Sequence, residues 1–343
     1  MQLISMRELF HMFTRERLDE PRDVPEIIRR KDMSSNHELF EREELPEVKG
    51  KSLAALAYSR QRRADLLSMF QGHPPTSIMR KALIDDRSDA EKGVHGSYTE
   101  TAGKYVKEHM TDAERAAFSI SSSGVAYGAL SVFPQNIGRS ILLLYSEPGD
   151  IVVDPFAGHN SRMEFCVREG RHYVGYDISE RFMTLNKARA KHLRTQLKGV
   201  EIVLHHGDSR YMDKVPDAFG DFTITSPPYW DIEDYGDERE QLGKSAQYGI
   251  FLSELQMVMR ENFRCLKPGA FSVWFVNDFR RDGVFHSYHS DVIDRMRQVG
   301  FVYHDILIVD LGGSFREAFL GQIVDQKIIP KRHEYGLVFR KPL

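Results

Sequence analysis

From about residue 130 onward, short apolar runs alternate with longer stretches of helical periodicity. Ile151-Val152-Val153 reads as a short buried strand, and Met163 to Arg168 as a helix. His172 to Tyr176 follows as a strand, and Glu180 to Leu197 as a long helix. Ile202 to Leu204 and Phe222 to Thr225 are two more strands. A helix covers roughly Phe251 to Cys265, with Lys267-Pro268-Gly269 ending it, and Phe271 to Val276 is a strand. Val292 to Gln298 suits a helix, and the runs Val302 to Val309 and Tyr335 to Phe339 can pair as the last strands. Strands that alternate with helices predict an α/β fold, with a mostly parallel sheet covered on both faces.

Residues 1 to about 125 carry a different pattern. Charge of both signs is dense, as in Arg15-Glu16-Arg17-Leu18-Asp19-Glu20. Helical periodicity shows in Leu53 to Tyr58 and in Ala64 to Phe70, while breakers gather at Gly72-His73-Pro74-Pro75 and from Gly93 to Gly96. This predicts a mainly helical region over 1–125. Ser121-Ser122-Ser123-Gly124 is a candidate linker to a second region over 126–343.

Composition narrows the class. No apolar run approaches the length that crosses a bilayer, and the first eight residues lack the cationic-then-apolar layout of a signal peptide. Cys166 and Cys265 are the only cysteines and form no metal-binding spacing. A reducing, cytoplasmic setting without structural metal is therefore expected. The net charge of -3 weighs mildly against a tight nucleic-acid binder, although a local basic patch suffices for brief contact.

Three acidic strand ends follow one another. Asp154-Pro155-Phe156-Ala157-Gly158 runs a strand into a tight turn, and a glycine there lets backbone approach a ligand. Asp177 ends the next strand, where its carboxylate can take both hydroxyls of a ribose. Asp208-Ser209 closes the third and suits an adenine amino group. In open α/β sheets, ligands sit at the carboxyl ends of strands near the switch in strand order, so this order describes a nucleoside pocket. The turn has neither GxGxxG nor the lysine of a phosphate loop, so the nucleoside need not carry phosphates.

The next strand ends in Ser226-Pro227-Pro228-Tyr229-Trp230. Two prolines lock the backbone and donate no hydrogen bonds. Ser226 and the Pro227 carbonyl are then held as acceptors, with Tyr229 as a flat apolar face. That set suits an aromatic amine, whose lone pair is delocalised into its ring. Two aimed acceptors favour the pyramidal form that attacks a methyl group, and stabilise the charge that develops.

At these residues the chain resembles the amino-methyltransferases of DNA, the cytosine-N4 and adenine-N6 group. Asp154-Pro155-Phe156-Ala157-Gly158 is similar to their cofactor motif, and Ser226-Pro227-Pro228-Tyr229 to their catalytic motif. Phe133-Pro134-Gln135 with Ile141 to Tyr145 resembles the segment ahead of the cofactor motif. Arg264 to Gly269 and His333 to Arg340 resemble later strands. The resemblance covers about 130 to 343. It implies a Rossmann-like class I methyltransferase fold with a mostly parallel seven-stranded sheet, S-adenosyl-L-methionine as cofactor, and a base flipped out of duplex DNA. It also implies cofactor contacts from Phe133, Pro134, Asp154, Pro155, Phe156, Gly158, Asn160, Ser161, Asp177, Asp208 and Ser209. Trp230, Arg280 and Arg281 are candidate substrate contacts, and a cognate restriction enzyme is a candidate partner. The leading Ser226 is commoner among cytosine-N4 members of the family; adenine-N6 transfer is the alternative. An RNA base enzyme and a non-catalytic nucleic-acid binder are further readings. Methylation at cytosine carbon-5 needs a cysteine, typically after proline, and neither cysteine here follows one.

The chain departs from the family at His159-Asn160-Ser161, where Gly-Ser-Gly-Thr is usual; Asn160 tolerates the left-handed backbone that a glycine would supply. The cofactor motif precedes the catalytic one, so the region 1–125 is the candidate for target recognition, in an order related to other members by circular permutation. Asp231, Glu233, Asp234 and Asp237 read as a mobile loop that closes over the target. Arg60-Gln61-Arg62-Arg63, Lys327, Lys331 and Arg332 are weighed as phosphate contacts against plain solvated faces.

Overall fold

The computed structural model describes residues 61–65, 76–80, 133–158, 161–230, 238, 240–311, 320–329 and 331–343. In chain order the elements are β1 (Ile78–Arg80), α1 (Gln135–Tyr145), β2 (Ile151–Asp154), α2 (Ser161–Arg168), β3 (His172–Asp177), α3 (Glu180–Gln196), β4 (Ile202–His206) and β5 (Gly220–Thr225). They continue with α4 (Tyr248–Cys265), β6 (Leu266–Val276), β7 (Phe279–Arg281), β8 (Val284–His286), α5 (Tyr288–Val299), β9 (Val302–Asp310), α6 (Leu320–Gln326) and β10 (His333–Arg340).

One sheet organises them, in the order β1-β9-β10-β6-β5-β2-β3-β4. Every pairing is parallel except those of β10, which runs antiparallel to both β6 and β9. The sheet has eight strands where seven were expected. The extra one is β1, three residues that pair with β9 at the edge and bury Met79 while leaving Ile78 exposed. So short a strand leaves no period-2 signal to read. Of the other residues weighed as helical upstream, 61–65 are helical, and the rest of 1–125 lies outside the described residues apart from 76–80.

Alternation along β6 explains the two-sided core. Val273 and Phe275 face one cluster, with Ile137 and Ile141 of α1, Phe165 of α2 and Leu193 of α3. Trp274 and Val276 face the other, with Phe251 and Leu255 of α4 and Val292 and Met296 of α5. Successive side chains of a strand point to opposite faces, so a central strand with helices on both sides must be apolar throughout. Helix α1 starts after Pro134, an extended N-cap residue at φ -60° and ψ 116° that has no backbone N–H to satisfy. Ser179 caps α3 through its side chain. Helix α4 stops at Cys265 and β6 begins at Leu266, so Lys267-Pro268-Gly269 lies inside the strand instead of ending the helix.

The chain moves outward from β2 through β3 to β4, then returns to β5 on the other side of β2. Strand order therefore reverses between β2 and β5. Their carboxyl ends form the crevice where an open α/β sheet binds its ligands. No helix among the described residues is long and apolar enough to cross a membrane.

Candidate active site

Asp154 closes β2 and is fully buried. One carboxylate oxygen accepts from Arg162 Nε at 2.8 Å and from the Tyr173 hydroxyl at 2.8 Å. The other accepts from the Phe156 amide at 3.1 Å and from Thr225 Oγ1 at 2.6 Å. Asp154, expected as a cofactor contact, thus ties the ends of β2 and β5 to the start of β3 and the start of α2. An isolated buried carboxylate is costly, and this one is stabilised by a guanidinium and three neutral donors. Arg162 also donates to the Phe156 carbonyl, fixing the turn from inside. Sequence reading missed Arg162, Tyr173 and Thr225, because nothing in a linear pattern joins residues so far apart.

Above this support lies the turn itself. Gly158 has φ of +50°, a left-handed conformation that costs a side chain dearly. Its amide donates to Asp177 at 2.7 Å, and its carbonyl accepts from Asn186 Nδ2 at 2.7 Å. Asp177 ends β3, as expected, and also accepts from the Ser179 amide at 2.9 Å. Burial pushes its carboxyl up to about 6, against the lowering effect of these two amides. Asn186 Oδ1, next to Gly158, is buried without a hydrogen-bond partner among the described residues.

The remaining cofactor candidates divide. Phe156 is half-buried, edge-on to Trp274. Pro155 lends its carbonyl to Ser209. Phe133 is buried between Phe165 and Phe275, and its amide donates to Ser161 Oγ. Pro134 and Ser161 stand at the starts of α1 and α2. Asp208, expected to face an adenine amino group, is paired with Arg210 at 2.7 Å, and Arg210 is held in turn by Glu254. His159 and Asn160 lie outside the described residues, as do Asp231, Glu233, Asp234 and Asp237.

Ser226-Pro227-Pro228-Tyr229 follows β5 directly, so the Thr225–Asp154 hydrogen bond sets this turn beside the glycine turn. Ser226 is half-buried at the strand end and Pro227 is buried. The buried Tyr288 hydroxyl donates to the Pro228 carbonyl at 3.1 Å. Tyr229 packs edge-on against Tyr288 and Phe279, with ring centroids 5.8 Å and 6.3 Å away. Trp230 donates to the Ser245 carbonyl at 2.8 Å and leans on Tyr248 and His286. An aromatic wall thus braces the turn from behind.

Arg280 and Arg281 lie on β7, which pairs with β8 as a two-stranded hairpin of its own. The sequence alone leaves Arg280-Arg281-Asp282-Gly283 between a solvated turn and a phosphate contact. The Asp-Gly pair with flanking Arg281 and Val284 is a type I′ signal, and both turn residues have positive φ. Elsewhere, Arg62 pairs with Glu147 at 3.7 Å, and Arg60 is outside the described residues. Lys327 is exposed, while Lys331 is half-buried. Both cysteines are free and buried, and burial pushes Cys265 up to about 12, so neither is set up as a nucleophile. Among the described residues, no group of acidic, histidine or cysteine side chains could hold a metal ion.

Residues 73–188, about a third of the chain, match the family model of the N6/N4 DNA methylases. The match takes in the glycine turn and Asp177 and ends before Ser226. Type II methyltransferase M.MjaI of Methanocaldococcus jannaschii is 27% identical over 177 residues, 42% of this chain and 58% of that protein. The DNA adenine methyltransferase YhdJ of Escherichia coli K12 is 34% identical over 56 residues, 16% of this chain and 19% of that protein. The structure of TTHA0409 from Thermus thermophilus, complexed with S-adenosyl-L-methionine, is 34% identical over 40% of this chain and 54% of that one, with a TM-score of 0.31. The chain thus spans little more than half the length of M.MjaI.

Proposed function

We propose, from a chain whose relatives are Type II DNA methyltransferases and whose cofactor half matches the N6/N4 DNA methylases, that this protein transfers a methyl group from S-adenosyl-L-methionine to an exocyclic amine of a base in DNA. The observation that carries the reading is the Thr225–Asp154 hydrogen bond. It sets the glycine turn and the Ser-Pro-Pro-Tyr turn side by side at the switch in strand order.

The residues present fit a nucleoside cofactor. Gly158 presents left-handed backbone bare of any side chain, Asp177 offers an ionised carboxylate above about pH 6, and Asn186 Oδ1 is a buried acceptor in want of a donor. The cofactor supplies an electrophilic methyl group. Asp177 takes the ribose hydroxyls, and Phe156, Asp208 and Ser209 flank the adenine. Phe133, Pro134, Pro155 and Ser161 shape the floor, and Asn160 is a further cofactor contact expected from the sequence.

On the other side, Ser226 and the Pro227 carbonyl accept from the target amine, and Tyr229 stacks on the base. Tyr288 holds the neighbouring Pro228 carbonyl, so the acceptors need not reorganise as charge develops. A base within a duplex cannot reach this recess, so it is flipped out. Arg280 and Arg281 then contact the flanking DNA. Ser226 favours cytosine N4 as the acceptor; adenine N6 is the second reading, favoured by the likeness to YhdJ. Residues 1–125 supply target recognition, and a restriction enzyme of the same specificity is the expected partner.

Incubation with S-adenosyl-L-methionine carrying a tritiated methyl group tests this on plasmid DNA grown without methylation. Label should enter the DNA. Tyr229→Ala should lower transfer by about 100-fold while leaving cofactor affinity nearly intact. Label entering RNA transcripts but not DNA would overturn the substrate; equal loss of transfer and cofactor binding in Tyr229→Ala would overturn the role of that ring.

A further inference from the structure

We infer that the β7–β8 hairpin is a DNA wedge, with Phe285 filling the space left by the flipped base and Arg280 and Lys331 holding the phosphates on either side. This deepens the proposed DNA methylation and rests on it.

The hairpin has two faces. Phe279 lies opposite His286, and Arg280 opposite Phe285. Opposed residues of a strand pair share a face, and neighbours along a strand point opposite ways. The first pair packs against the catalytic turn. Phe279 is 6.3 Å from Tyr229 by ring centroids, and His286 is 5.6 Å from Trp230. His286 also meets Tyr248 at 4.4 Å and Phe279 at 5.1 Å. The second pair therefore projects away from that wall, at the same carboxyl end of the sheet.

Phe285 is 45% exposed, and its neighbour Val284 57%. Scattered exposed apolar side chains are common, but this one is held. The Arg280 guanidinium and the Lys331 ammonium each lie 5.2 Å from its ring centroid. An exposed phenylalanine with two cations beside its ring joins an apolar surface to positive charge. A duplex opened at one base offers the matching surface: an apolar gap between stacked bases, with a phosphate on each side.

Lys331 adds a second, independent sign. Its ammonium nitrogen is buried and has no hydrogen-bond partner among the described residues. Burial and the nearby Arg280 charge favour its neutral form, while Asp278 opposes them. A phosphate drawn against the Phe285 edge would supply the charge and the acceptors that this ammonium lacks among the described residues, once the side chain turns outward. The Asp282-Gly283 turn, at φ of +50° and +78°, matches the twist of its strands and keeps the hairpin short and stiff. The brace of Phe279 and His286 on Tyr229 and Trp230 fixes the wedge relative to the recess that receives the base.

The test uses the full chain, S-adenosyl-L-methionine and unmethylated plasmid duplex. Phe285→Ala should lower turnover at saturating DNA by roughly tenfold, the cost of losing part of the support for the opened step. Its melting temperature and cofactor affinity should stay at the wild-type values. Phe285→Leu, which keeps an apolar tip, should recover most of the rate. Arg280→Gln and Lys331→Gln should each weaken duplex binding and flatten the slope of log affinity against log salt by about one. Wild-type turnover in Phe285→Ala would overturn the wedge, as would a loss shared equally with cofactor affinity. An unchanged salt slope in both cation variants would overturn the phosphate contacts. If the wild-type protein methylates no DNA at all, the underlying function fails instead, and the wedge with it.

Discussion

Two aspartates at adjacent strand ends have opposite fates. Asp154 accepts from a guanidinium, two hydroxyls and an amide, whereas Asp177 accepts from the amides of Gly158 and Ser179. Removing Arg162 should show the difference. Arg162→Met leaves the Asp154 charge buried and uncompensated, which costs about 3–5 kcal/mol, readable by urea unfolding. A loss no larger than that of a surface ion pair would contradict the supporting role. Asp177 predicts a pH dependence. Its folded pKa of about 6 stands above the roughly 3.9 of an unfolded aspartate, so its contribution to stability is complete below about pH 4 and lost as pH rises through 6. Cofactor binding runs the other way, because the hydroxyls need the ionised form: affinity should fall as pH drops through 6. Asp177→Asn should bind weakly at every pH, with a flat profile between about pH 5 and 8. Calorimetric titration across that range checks both. The two residues look alike in the sequence, each an acid at the end of a buried strand. What separates them is the company of Arg162, Tyr173 and Thr225, which only the folded sheet assembles.

At the level of elements, segments with a clear apolar run were legible, down to the four residues of β2, and the three-residue strands were not. Helices α3, α4 and α5 and strands β5, β9 and β10 fall within a few residues of their sequence limits, because each presents several turns or alternations to one core. Strand β1 and the β7–β8 hairpin are three residues a strand, too short for a period; the hairpin showed itself only in Asp282-Gly283. Helix α1 was seen as a resemblance and not as a helix, since Pro134, Gly138 and Ser140 dilute its apolar face. Gly138 is nonetheless fixed by packing. A methyl group there would run into the buried Phe165 ring of α2. Alanine improves helix propensity by about 1 kcal/mol, and overpacking a tight core costs about 1–3 kcal/mol. Gly138→Ala should therefore lower the melting temperature, and a rise would show that α1 and α2 can separate at little cost.

Across the whole molecule, one topological fact does most to place the function. The reversal of strand order between β2 and β5 gathers the turn proposed to bind a nucleoside and the turn proposed to hold an aromatic amine. The alternation of strands and helices implied the parallel sheet, while the strand order itself came from the structure. The residues that lock the two turns together were not implied either. An acidic net charge of -3 is compatible with the proposal at this scale, because a local group of cations such as Arg280 and Lys331 suffices for phosphate contact. The measurement that tests the account most directly is nucleoside mass spectrometry of unmethylated DNA after incubation with the protein and S-adenosyl-L-methionine. The account predicts N4-methylcytosine, with N6-methyladenine preserving the mechanism and reversing the choice of base. DNA without either nucleoside, from protein that binds the cofactor, would contradict it.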